Sequence, residues 1–235
     1  MPIHWLLTSL FASHVAGDFY LQSNKLCKQK QEHKAKSRFL YIHAATMGLA
    51  AWALVPQLEF GPYALGIAVS HLAIDMGKAY ARPGVTAFIT DQLLHIAILI
   101  VAALAYAPQA ALPLQQLAQT TSPALILAAL GIATVCKPTN ILIKLILEKY
   151  QIGSNKSCQE IKNAGALIGN LERILTIIFV LTGHYEAIGF IIAAKSILRF
   201  KDTDTPKTEY VLAGTFLSFG IAIIVGIAID QLISG

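Results

Sequence analysis

The sequence has little charge. Asp, Glu, Lys and Arg make up only 13% of its 235 residues, whereas soluble domains contain about a quarter. Hydrophobic residues make up 55%. A soluble fold of this length must cover its surface with polar groups, and this chain has too few of them. Lipid accepts an apolar exterior, so the composition excludes an ordinary soluble domain and predicts an integral membrane protein.

Familiar catalytic and nucleotide-binding motifs are also absent. The chain contains no glycine-rich phosphate loop, dinucleotide fingerprint, GxSxG elbow or HExxH zinc motif. Its three cysteines form no CxxC pair. The net charge of +5 is distributed over short loops between apolar runs. Basic residues in such loops set membrane topology, so we expect no nucleic-acid partner.

Long apolar runs predict an all-α fold, a polytopic bundle of seven or eight transmembrane helices. We expect one transmembrane domain over 1–235, with a half rich in His and Asp at 1–107 and a half bearing Glu, Lys and Arg at 123–235. The seventh run is short, so it is either a full span or a re-entrant helix. At about 20 residues per span, the spans lie at 2–20, 39–56, 62–80, 86–107, 123–146, 165–183, 185–200 and 209–233.

Lys and Arg alternate between the loops. The loops after the first, third, fifth and seventh runs are basic, whereas 57–61, 108–122 and the segment around residue 184 contain neither residue type. The positive-inside rule makes the basic loops cytoplasmic and both termini external. We expect membrane lipids as partners, with anionic headgroups contacting the basic loop at 25–38.

Ionisable residues recur inside the predicted spans, where a charge costs at least about 2.5–3.5 kcal/mol at the bilayer centre. Three His/Asp pairs are spaced by four residues, which places both side chains of each pair on one face of a helix. These pairs and one further histidine all fall in the half of the membrane predicted to face the cytoplasm. They are His14 and Asp18, His71 and Asp75, Asp91 and His95, and the single His43.

Imidazole and carboxylate groups are the usual ligands of zinc, iron and manganese, and helix bundles build such sites from facing helices. We therefore predict that these seven residues hold a divalent metal ion (Zn, Fe or Mn), either as ligands or as groups that orient the ligands. The same groups also suit a proton relay or a site for an organic ligand. In the simplest alternative, each His/Asp pair is a hydrogen-bonded couple that only ties helices together.

The second half of the chain carries a different set of polar residues. Glu172 and Lys195 are predicted to pair between the sixth and seventh spans, and Lys195 and Arg199 share a helix face that suits phosphate or carboxylate groups. Pro138 predicts a kink in the fifth span, with Asn140 satisfying the carbonyl that the proline leaves unpaired.

Five segments along the chain form a recognisable set. They are HVAGDFYLQ at 14–22, HLAIDMGK at 71–78, DQLLH at 91–95, IGNLER at 168–173 and GFIIAAKSILRF at 189–200. Together they resemble a family of small bacterial inner-membrane proteins, the domain of unknown function 3307. The resemblance covers nearly the whole chain. It implies a multi-pass protein of the bacterial plasma membrane and implies no activity.

These residues favour a membrane-embedded metal-dependent hydrolase that acts on an amphiphilic or anionic substrate at the cytoplasmic leaflet. A metal ion would activate water for attack on an ester, amide or phosphoester. The predicted catalytic residues are Asp18, Asp91, Glu172 and Lys195, and the predicted substrate-binding residues are Lys78, Arg173, Lys195 and Arg199.

Two other functions are compatible with the same residues. One is a transporter or channel for a metal ion or a proton-coupled solute, and the other is a membrane scaffold or regulator without catalysis. The outer halves of the predicted spans carry almost no polar residues. This favours the enzyme, because a transporter needs a path to the outside.

Overall fold

A computed structural model of the protein describes residues 3–107, 123–150, 164–199 and 205–234. Every regular element in these ranges is helical, which confirms the predicted all-α class. The α-helices are α1 (Ile3–Val15), α2 (Asn24–His33), α3 (Arg38–Leu54), α4 (Gly61–Tyr80), α5 (Val85–Tyr106), α6 (Pro123–Lys149), α7 (Ala164–Leu181), α8 (Tyr185–Arg199) and α9 (Thr205–Ser234). All of them except the short polar α2 coincide with the apolar runs of the sequence.

Among the described residues, three helices are long and apolar enough to cross a membrane, which indicates a membrane protein. They are α5, the segment Ala124–Lys149 of α6 and the segment Thr208–Ile233 of α9. Other helices are shorter or more polar, since α1 has 13 residues and α3 has 17. Helix α1, with its 13 residues, rises only about 20 Å, which is less than the hydrocarbon core of about 30 Å. The total of seven or eight spans therefore stays a prediction.

The chain divides into two compact units, Met1–Ser122 and Pro123–Gly235. That they form one transmembrane domain stays a prediction. In the first unit α1 packs against α3 and α5, and α4 packs against the same two helices. These four helices form a closed ring, in which the last turns of α1 and α4 lie beside the first turns of α3 and α5.

The opposite end of this four-helix ring is filled by apolar and aromatic side chains. Leu10, Val55, Phe60 and Tyr106 are fully buried there in one core cluster. The hydroxyl group of Tyr106 donates a hydrogen bond to the side-chain oxygen of Gln57. Apolar packing therefore closes the ring at this end and confines its buried charged groups to the other.

Gly48 allows α3 and α4 to lie close together. A Cβ atom at this position would lie 2.8 Å from the carbonyl oxygen of Ala64 and 2.8 Å from the Cβ atom of Ala68. Because one of these atoms belongs to the backbone of α4, a larger residue would push the helices apart. The close approach brings His43 of α3 within hydrogen-bonding distance of His71 of α4.

In the second unit α6, α7 and α9 pack against one another, and α8 packs against α7 and α9. Pro138 lies inside α6 and has no N–H group to donate to the carbonyl of Thr134. The hydroxyl group of Thr139 donates to that carbonyl at 3.1 Å. The prediction that Asn140 fills this role is wrong, because Asn140 bonds to side chains of α7.

Candidate metal site

The seven residues predicted as metal ligands converge at one end of the four-helix ring, and we call them the His/Asp cluster. They come from α1 (His14), the turn after it (Asp18), α3 (His43), α4 (His71 and Asp75) and α5 (Asp91 and His95). Six of them are only 2–4% exposed, and the side chain of Asp18 is 8% exposed. The cluster is therefore buried as a whole.

Helix α1 widens into one π-helical turn over Ala16–Tyr20, which contains Asp18. The amide group of Leu21 donates to the first carbonyl of this turn at 2.8 Å. Such turns are frequent at functional sites. Gly17 leaves room beside the turn, since a Cβ atom there would lie 2.1 Å from the sulfur of Met47. The wider turn directs the carboxylate of Asp18 into the ring.

Asp18, His43 and His71 form a close triangle of ligand atoms. Oδ1 of Asp18 lies 2.9 Å from Nε2 of His43 and 3.4 Å from Nε2 of His71. The two Nε2 atoms are 3.1 Å apart. Ligand atoms bound at about 2.0–2.1 Å to a tetrahedral zinc ion lie about 3.3 Å from one another. The triangle therefore has a spacing compatible with three ligands of one ion, and its two shorter distances are also those of hydrogen bonds.

Asp75 lies beside this triangle. Its Oδ2 atom is 3.9 Å from Nε2 of His43 and 3.7 Å from Nε2 of His71. Lys30 of α2 donates to the same oxygen at 2.6 Å. Asp75 is placed either to complete a tetrahedron or to accept a proton from a water molecule held by the triangle.

His95 and Asp91 each present a buried atom that makes no hydrogen bond within the described part of the chain. Nδ1 of His95 donates to the backbone carbonyl of Asp91 at 2.9 Å, so Nε2 carries a lone pair. This Nε2 atom and Oδ1 of Asp91 have no hydrogen-bond partner among the described residues, and the contact between Oδ1 and Nδ1 of His95 is 3.7 Å long. Buried polar atoms are normally paired. These two unpaired acceptors lie on one helix turn, and their lone pairs would stabilise a cation bound between them.

Gln92 connects the members of the cluster and was not predicted from the sequence. Its Nε2 atom donates to Oδ2 of Asp18 at 3.3 Å and to Oδ2 of Asp91 at 2.9 Å. Its oxygen accepts a hydrogen bond from Nε2 of His14 at 3.2 Å. The signal in the sequence is its position inside the Asp91/His95 pair, on a helix that faces the ring.

Two lysines reach the cluster at the end of the ring opposite the apolar core. Lys30 contacts Asp75, and Lys78 donates to Oδ2 of Asp91 at 2.5 Å. Three carboxylates and two ammonium groups meet here, which leaves one negative charge when the histidines are neutral. A buried excess charge is costly, so the cluster as a whole favours an additional cation.

Helix α2 packs over the end of the cluster that the two lysines reach. It carries Lys30, and the turn that follows it places the ammonium group of Lys34 4.9 Å from the ring centre of Tyr80. Both contacts hold α2 against the end of α4. The basic segment, which the sequence predicts to contact lipid headgroups, therefore contains a helix that packs on the site.

A small cavity adjoins three of the histidines. It is lined by Ser13, His14, Met47, Ile67, Ser70, His71, His95, Ile98 and Leu99. The rings of His71 and His95 are 4.1 Å apart between centroids, and those of His14 and His95 are 5.1 Å apart. The space beside these rings has room for about one water molecule.

Glu172 and Lys195 lie in the second unit and bind each other. The ammonium group of Lys195 is 2.7 Å from each carboxylate oxygen of Glu172, which confirms the predicted pair between these helices. The side chain of Arg199 lies outside the described part of the structure. A catalytic role for Glu172 and Lys195 requires this pair to open.

Arg173 is 2% exposed and lies in a network of neutral side chains. Its guanidinium group donates to Ser218 at 2.7 Å, to Asn140 at 2.5 Å and to Asn170 at 2.7 Å. These bonds connect α6, α7 and α9. In this arrangement Arg173 joins helices of the second unit, whereas the sequence predicts a substrate-binding role.

No curated protein and no solved structure matches the chain. A family model described as "Protein of unknown function (DUF3307)" matches residues 6–127. This range contains the whole His/Asp cluster, Gln92 and both lysines, whereas two of the five resembling segments, 168–173 and 189–200, lie beyond it. Because the match covers more than half of the sequence, the chain belongs to the DUF3307 family.

Proposed function

We propose that this protein is a membrane-embedded, metal-dependent hydrolase whose metal ion is bound by Asp18, His43 and His71. The observation that supports it best is the spacing of their three ligand atoms, which lie 2.9–3.4 Å apart, as the ligands of one tetrahedral ion do. Zinc, iron and manganese all accept these ligand types. Two histidines and one carboxylate leave a fourth position for water, as in catalytic zinc sites.

A cluster that only ties helices together accounts less well for the unpaired atoms. Buried polar networks stabilise a fold when every member is satisfied. Within the described residues, Nε2 of His95 and Oδ1 of Asp91 make no hydrogen bond, and an unpaired buried group costs about 1–3 kcal/mol. A cation-binding function explains why such groups are kept.

Hydrolysis adds one water molecule across an ester, amide or phosphoester bond. When bound, the metal ion makes that water nucleophilic at neutral pH. The water oxygen forms a bond to carbon or phosphorus, and the bond to the leaving oxygen or nitrogen breaks. One water proton passes to a neighbouring carboxylate, Asp75 or Asp91, and then to the leaving atom. Both carboxylates are only 3–4% exposed, which keeps this transfer away from bulk water.

The two ends of the four-helix ring favour an enzyme over a transporter. Apolar packing around Phe60 and Tyr106 fills one end, whereas Lys30 and Lys78 reach the cluster at the other. A transporter needs polar access from both sides of the membrane, and an enzyme needs it from one. The polar end is therefore the expected entrance for substrate.

In the membrane, this polar end lies in the cytoplasmic half of a bundle of seven or eight spans with both termini outside. The positive-inside rule supports this orientation, and a bacterial plasma membrane is what the resemblance of the five sequence segments implies. An amphiphilic or anionic substrate then enters from the inner leaflet. The basic segment 25–38 contacts anionic headgroups at the same level.

Hydrolysis by the purified full-length chain in lipid tests this function. The protein is stripped of metal and assayed against long-chain esters, amides and phosphoesters, before and after zinc, iron or manganese is added. We expect one substrate class to be hydrolysed only with metal. His71→Ala should lower that rate more than about 100-fold, because even groups that only orient a ligand contribute 10–100-fold.

His4→Ala is the matched control, since His4 is an exposed histidine on α1, and it should keep the wild-type rate. Hydrolysis that needs no metal, or a metal-loaded protein that cleaves none of the three classes, would contradict the hydrolase. Metal-ion or proton flux into vesicles that His71→Ala abolishes would support the transporter in its place.

A further inference from the structure

The first metal position uses only part of the His/Asp cluster. Asp91 and His95 form a second group with Asp18, and His14 lies beside this group, 3.9 Å from Asp18 and with its ring stacked on that of His95. We propose that this second group binds a second divalent ion and that the carboxylate of Asp18 bridges the two ions. The inference rests on the proposed function, which supplies the first ion position.

The two oxygens of Asp18 face different partners. Oδ1 lies 2.9 Å from His43 and 3.4 Å from His71. Oδ2 lies 3.3 Å from Nε2 of Gln92 and 3.9 Å from Nε2 of His14. One oxygen directed to each group is the arrangement of a carboxylate that bridges two ions, which lie about 3.5–4 Å apart in two-metal sites.

The second group already offers lone pairs to a cation. Nε2 of His95 and Oδ1 of Asp91 are buried and have no hydrogen bond in the described ranges. One ligand atom from each of Asp18, Asp91 and His95 lies within 4.8 Å of the other two. The ring of His14 stacks on that of His95. Two imidazoles, Asp91 and one oxygen of Asp18 thus repeat the ligand types of the first position.

Each of the two groups has a carboxylate that binds a lysine. Lys30 donates to Asp75 at 2.6 Å, and Lys78 donates to Asp91 at 2.5 Å. Two separate ammonium groups on two separate carboxylates indicate that both positions favour positive charge. The side chain of Lys78 is 39% exposed, so it can turn to solvent when a metal ion takes its place.

Gln92 occupies the remaining acceptors of the second group. Its amide hydrogens reach the Oδ2 atoms of Asp18 and Asp91, which are atoms that a metal ion at this position would use. Binding of the second ion therefore requires the amide of Gln92 to turn away or to bind the ion through its oxygen. Binding of the first ion does not require Gln92 to move, because no hydrogen bond joins Gln92 to His43 or His71 in the described structure.

Manganese binding to the metal-free full-length protein tests this inference. Bound manganese per chain is measured after removal of excess metal, and the same sample is examined by electron paramagnetic resonance. We expect two manganese ions per chain with an exchange-coupled spectrum. Asp91→Asn and His95→Ala should each bind one ion and lose the coupling, whereas His4→Ala should behave as wild type. Zinc stoichiometry by mass spectrometry should give the same counts.

The outcomes separate this inference from the proposed function. One ion per chain in the wild type, lost in His43→Ala, would overturn the second position and leave the hydrolase intact. Two ions with an uncoupled spectrum would also overturn it, because they would not share Asp18. A helical wild-type protein that binds neither manganese nor zinc would contradict both.

Discussion

The two units bury charged side chains in opposite ways. In the second unit the charged groups meet partners, since Lys195 binds Glu172 and two nitrogens of the Arg173 guanidinium group donate to three neutral oxygens. The one unpaired atom there is a donor, Nε of Arg173, which has no hydrogen-bond partner among the described residues. In the first unit four imidazoles and three carboxylates share one site with only two lysines, and two buried acceptors, Nε2 of His95 and Oδ1 of Asp91, make no hydrogen bond within the described residues. Burial of ionisable residues in apolar helices is common to both. The kind of partner distinguishes a network that joins helices from one that is ready for a cation.

Asp18→Asn has the largest expected effect on this comparison. The change keeps the size of the side chain but removes the negative charge and one of the two acceptor oxygens that face the histidines. Metal affinity should fall more than about 100-fold, because even groups that only orient ligands contribute 10–100-fold. Metal titration of the purified variant measures it.

Glu172→Gln is the matched change in the second unit and should leave metal affinity unaltered. Equal metal binding by the wild type and Asp18→Asn would remove the contrast between the units.

Arg173→Met should affect stability alone. The substitution removes hydrogen bonds to Ser218, Asn140 and Asn170 and leaves these groups buried and partly unpaired. We expect the free energy of unfolding to fall by about 2–4 kcal/mol, with metal content unchanged. Unfolding in mixed micelles and metal analysis of the same sample check both parts. Loss of metal with unchanged stability would show that the two networks have been given the wrong roles.

Gly48→Ala should widen the α3–α4 contact. The added Cβ atom would press on the carbonyl oxygen of Ala64, and overpacking of this kind costs about 1–3 kcal/mol. Because His43 and His71 lie on these two helices, metal affinity should fall together with stability. Gly66→Ala is the control, since a Cβ atom there meets nothing within 4 Å. If Gly48→Ala has the same free energy of unfolding as the wild type, α3 and α4 do not pack as closely as described.

Lys30→Met has the smallest expected effect and the opposite sign. The ammonium group of Lys30 binds Asp75 at 2.6 Å and therefore repels a metal ion at the neighbouring triangle. Its removal should raise metal affinity by about tenfold, equal to about 1.4 kcal/mol. Lys28→Met is the control, because Lys28 is 78% exposed and pairs with Glu32 on the same helix. A weaker affinity would mean that Lys30 positions Asp75 and does not compete with metal.

Helical periodicity made most of the cluster predictable. Spacing by four residues identifies the three His/Asp pairs because each pair shares one helix face, and the alternating direction of the spans puts the pairs at one end. The same reasoning finds the pair between Glu172 and Lys195, which the structure confirms. The helix limits also follow the apolar runs to within a few residues.

The missed features depend on tertiary contacts. Lys30 reaches Asp75 only because α2 folds back onto α4, and no periodicity encodes that docking. Gln92 is polar like many surface residues, and its role appears only when α5 faces α1. Beside Pro138 in α6, Thr139 and its neighbour Asn140 point about 100° apart. The choice between them depends on which faces the carbonyl of Thr134.

Metal content of the protein as it is isolated tests the central claim most directly. The chain is purified without chelators and through a tag that contains no histidine, and metals are counted by mass spectrometry. A binding centre in the His/Asp cluster predicts near-stoichiometric zinc, iron or manganese in the wild type and in His4→Ala, with loss in His43→Ala and His71→Ala. A folded wild-type protein without metal, or equal metal in all four proteins, would contradict it.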